Sequence, residues 1–355
     1  VARSGVIAEA LGHLAPPLAF AGVAWSGPRG RGMEIATAPG VSAGPGTRMR
    51  VASISKIVTA RVFLRAVAHL GPPAALEMDA LLGYPLRHPR ASDRPITAGM
   101  VAAHHAGLTD SGGYLIPRGM PLAAFLARAE VWDALPGTRF AYCNLGYVVL
   151  AAAAERVTGR RFDLLARDLL EDWGIGGGFN WSGVADRATR LPCYRPGSGG
   201  LVPQIDAQVA ADGVSGPDGT RIDLADHVPG AAPGVFSPQG GLRLSLAECL
   251  TLAERLGPEP PLWRVHDGPT EPPREVFQDY GWGMQILPAP TFWPEPVIGH
   301  TASGYGLRGG VFRAPTSGVA MAYLLNGLPE DPQDRADFTA EEHAVWAALR
   351  RAAAD

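Results

Sequence analysis

The stretch VASISKIVTA, Val51 to Ala60, holds Lys56, the one lysine of the chain; the other thirty of its 31 basic residues are arginine. Ser53 stands three positions earlier. On a helix that spacing puts both side chains on one face, one turn apart. A serine hydroxyl is a poor nucleophile until a neighbouring base takes its proton. Arginine stays charged at any working pH, whereas a lysine in a dry pocket can give up its charge and act as that base. The bland alternative is a leftover lysine on a solvated helix face, and other motifs must decide between the two.

Composition bounds the rest. A chain of 355 residues accommodates one large domain or two lobes sharing a core. Hydrophobic residues at 46% and charged residues at 18% describe an ordinary globular protein. A net charge of -3 without any Lys/Arg cluster beyond pairs argues against a nucleic-acid footprint. The longest apolar runs, YVVLAAAA and GVAMAYLL, fall well short of the ~18 residues of a membrane span. Cys143, Cys193 and Cys249 have no metal-like spacing and suggest no disulfide framework. No secretory leader is visible, since SGVIAEALGHLA reads as a short amphipathic helix. The compartment stays open: cytoplasmic, or periplasmic or secreted if a leader has been removed.

LAFAGVAWSG (18–27) and MEIATAPG (33–40) read as two strands joined through a Gly/Pro turn. PVIGHTAS, RGGVFRAP and GVAMAYLLNG read as three more near the other end, followed by a capping box from Thr339 to Glu342 and a terminal helix. One antiparallel sheet built from both ends and covered by helices is expected. Between lie the helical runs SKIVTARVFLRAVAHL and LGYVVLAAAAERVTG, the second stopped by Gly159. Residues 174–241 read as long loops over one face, a candidate lid.

Two further motifs bear on Lys56. In Phe140-Ala-Tyr-Cys-Asn-Leu-Gly-Tyr147, Tyr142 and Asn144 are two apart and project the same way in an extended segment. Asn144 also suits a helix N-cap, and Tyr142 a core aromatic. Functionally, Tyr142 would share a proton with Ser53 and Lys56, as a tyrosinate favoured by the lysine's charge, while Asn144 orients substrate. In Gly299-His-Thr-Ala-Ser-Gly304, a strand edge can offer a backbone N–H to an oxyanion, opposite the N–H of Ser53 at a helix start.

The order S-x-x-K, Y-x-N, H-T-x-S resembles the serine β-lactamase and penicillin-binding-protein family, most closely the branch of class C β-lactamases, D,D-peptidases and carboxylesterases. His104-His-Ala-Gly-Leu-Thr109, Pro136 to Tyr147, Gly240-Gly-Leu-Arg-Leu-Ser245 and Tyr280-Gly-Trp-Gly-Met284 extend the match in order. The resemblance implies an α/β (α+β) fold of the β-lactamase/transpeptidase type. Residues 1–60 and 236–355 would form the α/β lobe, residues 61–235 a mainly helical lobe with long loops, with the site between them. It further implies a metal-free, cofactor-free serine hydrolase with nucleophile Ser53, general-base pair Lys56 and Tyr142, and substrate or oxyanion contacts from Asn144, His300, Thr301 and Ser303.

Where the lactamases carry K-T-G, this chain has His300-Thr301-Ala302. A mostly neutral imidazole would hold a substrate carboxylate less firmly than an ammonium does. That shifts weight toward an esterase or a D,D-peptidase/D-aminopeptidase, with a class C-like β-lactamase and a non-turnover penicillin-binding or sensor module as alternatives. The expected partner is a small ester, amide or β-lactam, with no nucleic acid; the oligomeric state stays open. Arg308 is a candidate carboxylate clamp. His104-His105 reads as a helix end rather than a metal pair, Gly174 to Gly178 as a flexible loop, and Trp282 and Trp293 as core.

Overall fold

The structure, a computed structural model, describes residues 5, 10–11, 18–117, 119–181, 184, 186–204, 214–215, 221–265, 275–329 and 337–354. The amphipathic segment expected before residue 16 lies mostly outside them; Ala10 and Leu11 are described and buried. The strands are β1 (Phe20–Gly27), β2 (Gly30–Thr37), β3 (Arg48–Arg50), β4 (Tyr194–Gly197), β5 (Gly200–Pro203), β6 (Val214–Ser215), β7 (Arg221–Ile222), β8 (Arg243–Ser245), β9 (Trp263–Arg264), β10 (Asp279–Tyr280), β11 (Gln285–Leu287), β12 (Val297–Gly304), β13 (Leu307–Arg313) and β14 (Ala320–Asn326).

Eight of these form one sheet in the order β2-β1-β14-β13-β12-β11-β10-β9. Every pairing in it is antiparallel, and β1 from one end of the chain lies directly against β14 from the other, with Val23 opposite Tyr323. β14, with the sequence AMAYLLN, is buried along its whole length because both faces of the sheet are covered. Ala320, Ala322 and Leu324 join Phe20, Ala24 and the helix Leu246–Arg255 on one face. Met321, Tyr323 and Leu325 join Val23, Phe312 and the terminal helix Ala340–Ala354 on the other. That period of two is the strand pleat. Thr339 and Glu342 cap the terminal helix reciprocally.

The helix Ser55–Val67 is buried on nearly all sides. Ile57, Val58 and Val62 face the core below the sheet, whereas Ala60, Phe63 and Val67 face a second core with the helix Leu145–Thr158. The latter ends at Gly159 in the left-handed conformation, φ 66°. Trp282 stacks on Phe63 and Trp293 packs edge-on against Trp346, so both are core.

The described part of residues 174–241 is more structured than loops. β4 pairs with β5 and β6 with β7, and the Gly174 to Gly178 stretch, expected to be flexible, is pinned. Gly176 N donates to Glu248 at 2.9 Å and Gly178 bridges Arg243. The glycines allow a close backbone approach there. Among the described residues no helix is long and apolar enough to cross a membrane.

Candidate active site

Ser53 sits in a short 3-10 turn, Ala52–Ile54, that leads into the helix of Lys56. The turn begins with Ala52 at φ 43°, an uncommon conformation for a residue with a Cβ. The later segment from Pro238 to Ser245 holds the turn and the start of its helix in place. Val51 N donates to Leu242 O at 2.9 Å, Leu242 N donates to Ser55 Oγ at 3.0 Å, and Thr59 Oγ1 donates to Pro238 O at 2.6 Å. β3 and β8 extend the same seam.

Lys56 is fully buried, and its Nζ donates three hydrogen bonds: to Ser53 Oγ at 3.0 Å, Asn144 Oδ1 at 2.7 Å and Gln239 O at 3.1 Å. Burial lowers its pKa from 10.5 to about 7, against the opposing pull of the Asp110 carboxylate. The Tyr142 hydroxyl donates to Ser53 Oγ at 3.0 Å, and its ring lies 4.7 Å from Nζ. The Tyr142–Asn144 pair thus converges on Ser53 and Lys56, as their spacing of two implies. A tyrosinate, however, is not what the site holds. Burial pushes the phenol well above its ordinary range, the hydrogen bond with Ser53 pulls the other way and the Asp110 carboxylate adds to burial, so Tyr142 keeps its proton at neutral pH.

Asn144 does not cap the following helix with its side chain. That task falls to Asp110, whose carboxylate accepts from Asn144 N at 2.9 Å to each oxygen and from Leu145 N at 3.2 Å. Asp110 also accepts from Asn144 Nδ2 at 2.8 Å and from Cys143 Sγ at 3.3 Å. Asn144 is therefore committed at both ends of its carboxamide, to Lys56 and to Asp110. Asp110 follows directly on the His104 to Thr109 motif. No spacing ties it to a residue 34 positions later, so reading along the chain misses it.

His300 departs from the expected role. It is 1% exposed, its Nδ1 meets Thr301 O at 2.7 Å and its Nε2 meets the Tyr280 hydroxyl at 2.9 Å. A carbonyl only accepts, so Nδ1 carries the hydrogen and Nε2 accepts from Tyr280. Burial and the nearby Lys56 lower its pKa to about 3. Neutral and with both nitrogens engaged, this ring holds no substrate carboxylate; it packs 6.0 Å from the Tyr142 ring. Arg308 is no clamp either, because it reaches Glu341 and Pro329 O beside the terminal helix.

Gln285 clasps Thr301, accepting from its N–H at 2.9 Å and donating to its Oγ1 at 3.1 Å, which leaves the threonine hydroxyl hydrogen to donate. β11 begins at Gln285, opposite Gly299 of β12, so residues 300–304 form an edge on that side among the described residues. Thr301 N points to that edge, and by the two-residue period Ser303 N points the same way. The end of β12 lies beside the nucleophile turn, a Cβ on Gly304 falling 4.0 Å from that of Ala52. His104 and His105 diverge: Cys143 N donates to His104 Nδ1 at 3.1 Å, whereas His105 stacks on Trp263 at 4.3 Å. No cluster of three metal-ligating side chains occurs among the described residues.

The chain superposes on solved structures along almost its whole length. D-amino acid amidase from Ochrobactrum anthropi SV3, complexed with L-phenylalanine amide, gives a TM-score of 0.69 at 14% identity over 98% of both chains. The octameric penicillin-binding protein homologue from Pyrococcus abyssi gives 0.67 at 19% identity, over 98% of this chain and 75% of that one. At such identities the likeness is one of fold. Among curated relatives, D-aminopeptidase of Brucella anthropi is 31% identical over 37% of this chain and 26% of its own length. A putative fimbrial assembly protein, FimD of serogroup D from Dichelobacter nodosus, is 31% identical over 36% of this chain and 34% of its own. The matches span between about a quarter and a half of these relatives' lengths. Residues 13–345 match the model of the family described as Beta-lactamase, and the chain belongs to that family.

Proposed function

We propose that this protein is a serine hydrolase that forms an acyl-enzyme on Ser53 and cleaves a small ester or amide, in the manner of an esterase, D,D-peptidase or D-aminopeptidase. The observation that carries the reading is the approach of Lys56 Nζ and Tyr142 Oη to Ser53 Oγ, each at 3.0 Å, in a buried site. We place the site between a lobe of residues 1–60 and 236–355 and a mainly helical lobe of residues 61–235, the latter supplying Tyr142 and Asn144.

Lys56 has three partners, two of which, Asn144 Oδ1 and Gln239 O, carry no hydrogen. When the ammonium loses one proton, its two remaining N–H groups serve those oxygens, and the lone pair is directed at Ser53 Oγ. Lys56 then takes the serine proton as Oγ bonds to the substrate carbonyl carbon, and the carbonyl oxygen becomes an oxyanion. The N–H groups of Ser53 and Ser303 would stabilise it. Collapse breaks the bond to the leaving group, which receives the proton of Tyr142, and Tyr142 is re-protonated from Lys56. Water or another acceptor then resolves the acyl ester by the same path reversed.

The neutral, engaged His300 supports esters and amides over substrates recognised by a carboxylate. The D-aminopeptidase and D-amino acid amidase similarities support the same substrate class. Ser53→Ala is expected to abolish labelling by a fluorophosphonate or penicillin probe without changing the circular dichroism spectrum. Lys56→Arg keeps the charge and loses the base, so kcat/KM on p-nitrophenyl acetate falls about 10³-fold. Wild-type turnover by Lys56→Arg would remove the lysine from the mechanism. A single burst without steady-state release would instead indicate an acylated, non-turning sensor, and efficient cephalosporin hydrolysis a β-lactamase.

A further inference from the structure

Asn144 presents a puzzle of orientation. A carboxamide has an accepting end and a donating end of nearly equal shape, and turning it over exchanges them. If the amide nitrogen faced Lys56, its N–H would compete for the amine's lone pair and draw it away from Ser53. Asp110 removes this ambiguity. A carboxylate only accepts, so the end of Asn144 that faces Asp110 Oδ2 at 2.8 Å must be Nδ2, and Oδ1 must face Lys56 at 2.7 Å. The two backbone N–H groups of Asn144 and Leu145 hold the carboxylate itself fixed.

We propose that Asp110 is a positioning residue of this site: it turns the Asn144 carboxamide so that the lone pair of Lys56 is aimed at Ser53, and it lends the buried amine its negative charge across that amide. The proposal rests on the serine-hydrolase reading above and deepens it. Charge and geometry are coupled here because the carboxylate that orders the amide is also the group that most favours the charged amine, burial working against it. The other titratable groups facing Lys56 are Cys143, Tyr142 and Tyr147 around the helix start, His104 from the preceding motif, and His300 from β12. Tyr114 faces Asp110. None of these supplies a negative charge at neutral pH, because burial raises the phenols and the thiol and lowers both imidazoles.

The single lysine makes the test direct. Protein grown with lysine labelled at Cε with carbon-13 gives one lysine resonance, and its chemical shift against pH reports Lys56 alone. The wild-type midpoint is expected near 7. In Asp110→Asn the midpoint falls by about one pH unit, and the acid limb of kcat/KM on p-nitrophenyl acetate moves down with it while the plateau drops. Asn144→Ala, which removes the accepting oxygen, also lowers the midpoint, and it decides the matter should Asp110→Asn fail to fold. An anchor of purely structural role would lower the melting temperature and the whole profile without moving the midpoint. An unmoved midpoint in either folded variant overturns the proposal. The resonance reads Lys56 whether or not the enzyme turns over, so a shifted midpoint in a protein whose Ser53 resists fluorophosphonate would sink the hydrolase reading and leave Asp110's effect on Lys56 standing.

Discussion

Lys56 shows how far one residue's chemistry depends on its surroundings. Free in water it is a cation; enclosed here, it shares its proton near pH 7. Only the neutral amine can take the serine proton, so kcat/KM on a neutral ester should fall as pH drops through about 7, tenfold for each further unit. A rate flat from pH 5 to 8 would contradict this. Stability follows the same proton. In the unfolded chain the lysine keeps its ordinary value of 10.5, so between pH 7 and 10.5 the unfolded state binds more protons than the folded one, and unfolding becomes harder as pH rises through that window. Relative to Lys56→Met, the wild type should therefore gain on the order of 3 kcal/mol between pH 7 and 9.5, measured by urea denaturation at both. An unchanging difference would mean that the amine titrates as it does in water.

At the scale of elements, the active-site helix is fixed by close approaches rather than by its own sequence preferences. Gly283, between β10 and β11, has φ 72°, and a Cβ there would fall 2.3 Å from the carbonyl oxygen of Lys56. Gly283→Ala would both strain the turn and push the helix that carries Lys56. A displacement of about 1 Å suffices to cost about 10² in rate. We expect kcat/KM to fall to that extent together with a lower melting temperature, and wild-type kinetics would show that the turn yields instead. Tyr280-Gly-Trp-Gly-Met284 was legible as a strand motif, but the reason for its second glycine lies in a helix more than two hundred residues earlier.

For the whole molecule, the defining feature is a sheet closed by its two ends, with β14 lying between β1 and β13. Deleting residues 1–37 removes β1 and β2 and bares the edge of a strand that is buried throughout. Loss of soluble protein with native circular dichroism is expected, read by gel filtration; a folded, active truncation would show that β14 needs no partner on that side. The strands from both ends, the two long helices and the capping box could all be read from periodicity and turn residues. The hairpins within 174–241 could not, because their composition is turn-like throughout and their placement rests on distant segments, as where Tyr194 N at the start of β4 donates to Asn326 Oδ1 at the end of β14.

Ser53, Lys56, Tyr142 and Asn144 were candidates from the chain alone, because spacing within each motif aligns their side chains and the order of the motifs resembles that of a known family. Their protonation and partners could not be read that way. That Tyr142 is a phenol, that His300 is a neutral and fully engaged ring, and that Asp110 orders Asn144 all follow from what is packed around each group. Desolvation and hydrogen bonding act between segments distant in sequence, so only the folded arrangement decides them.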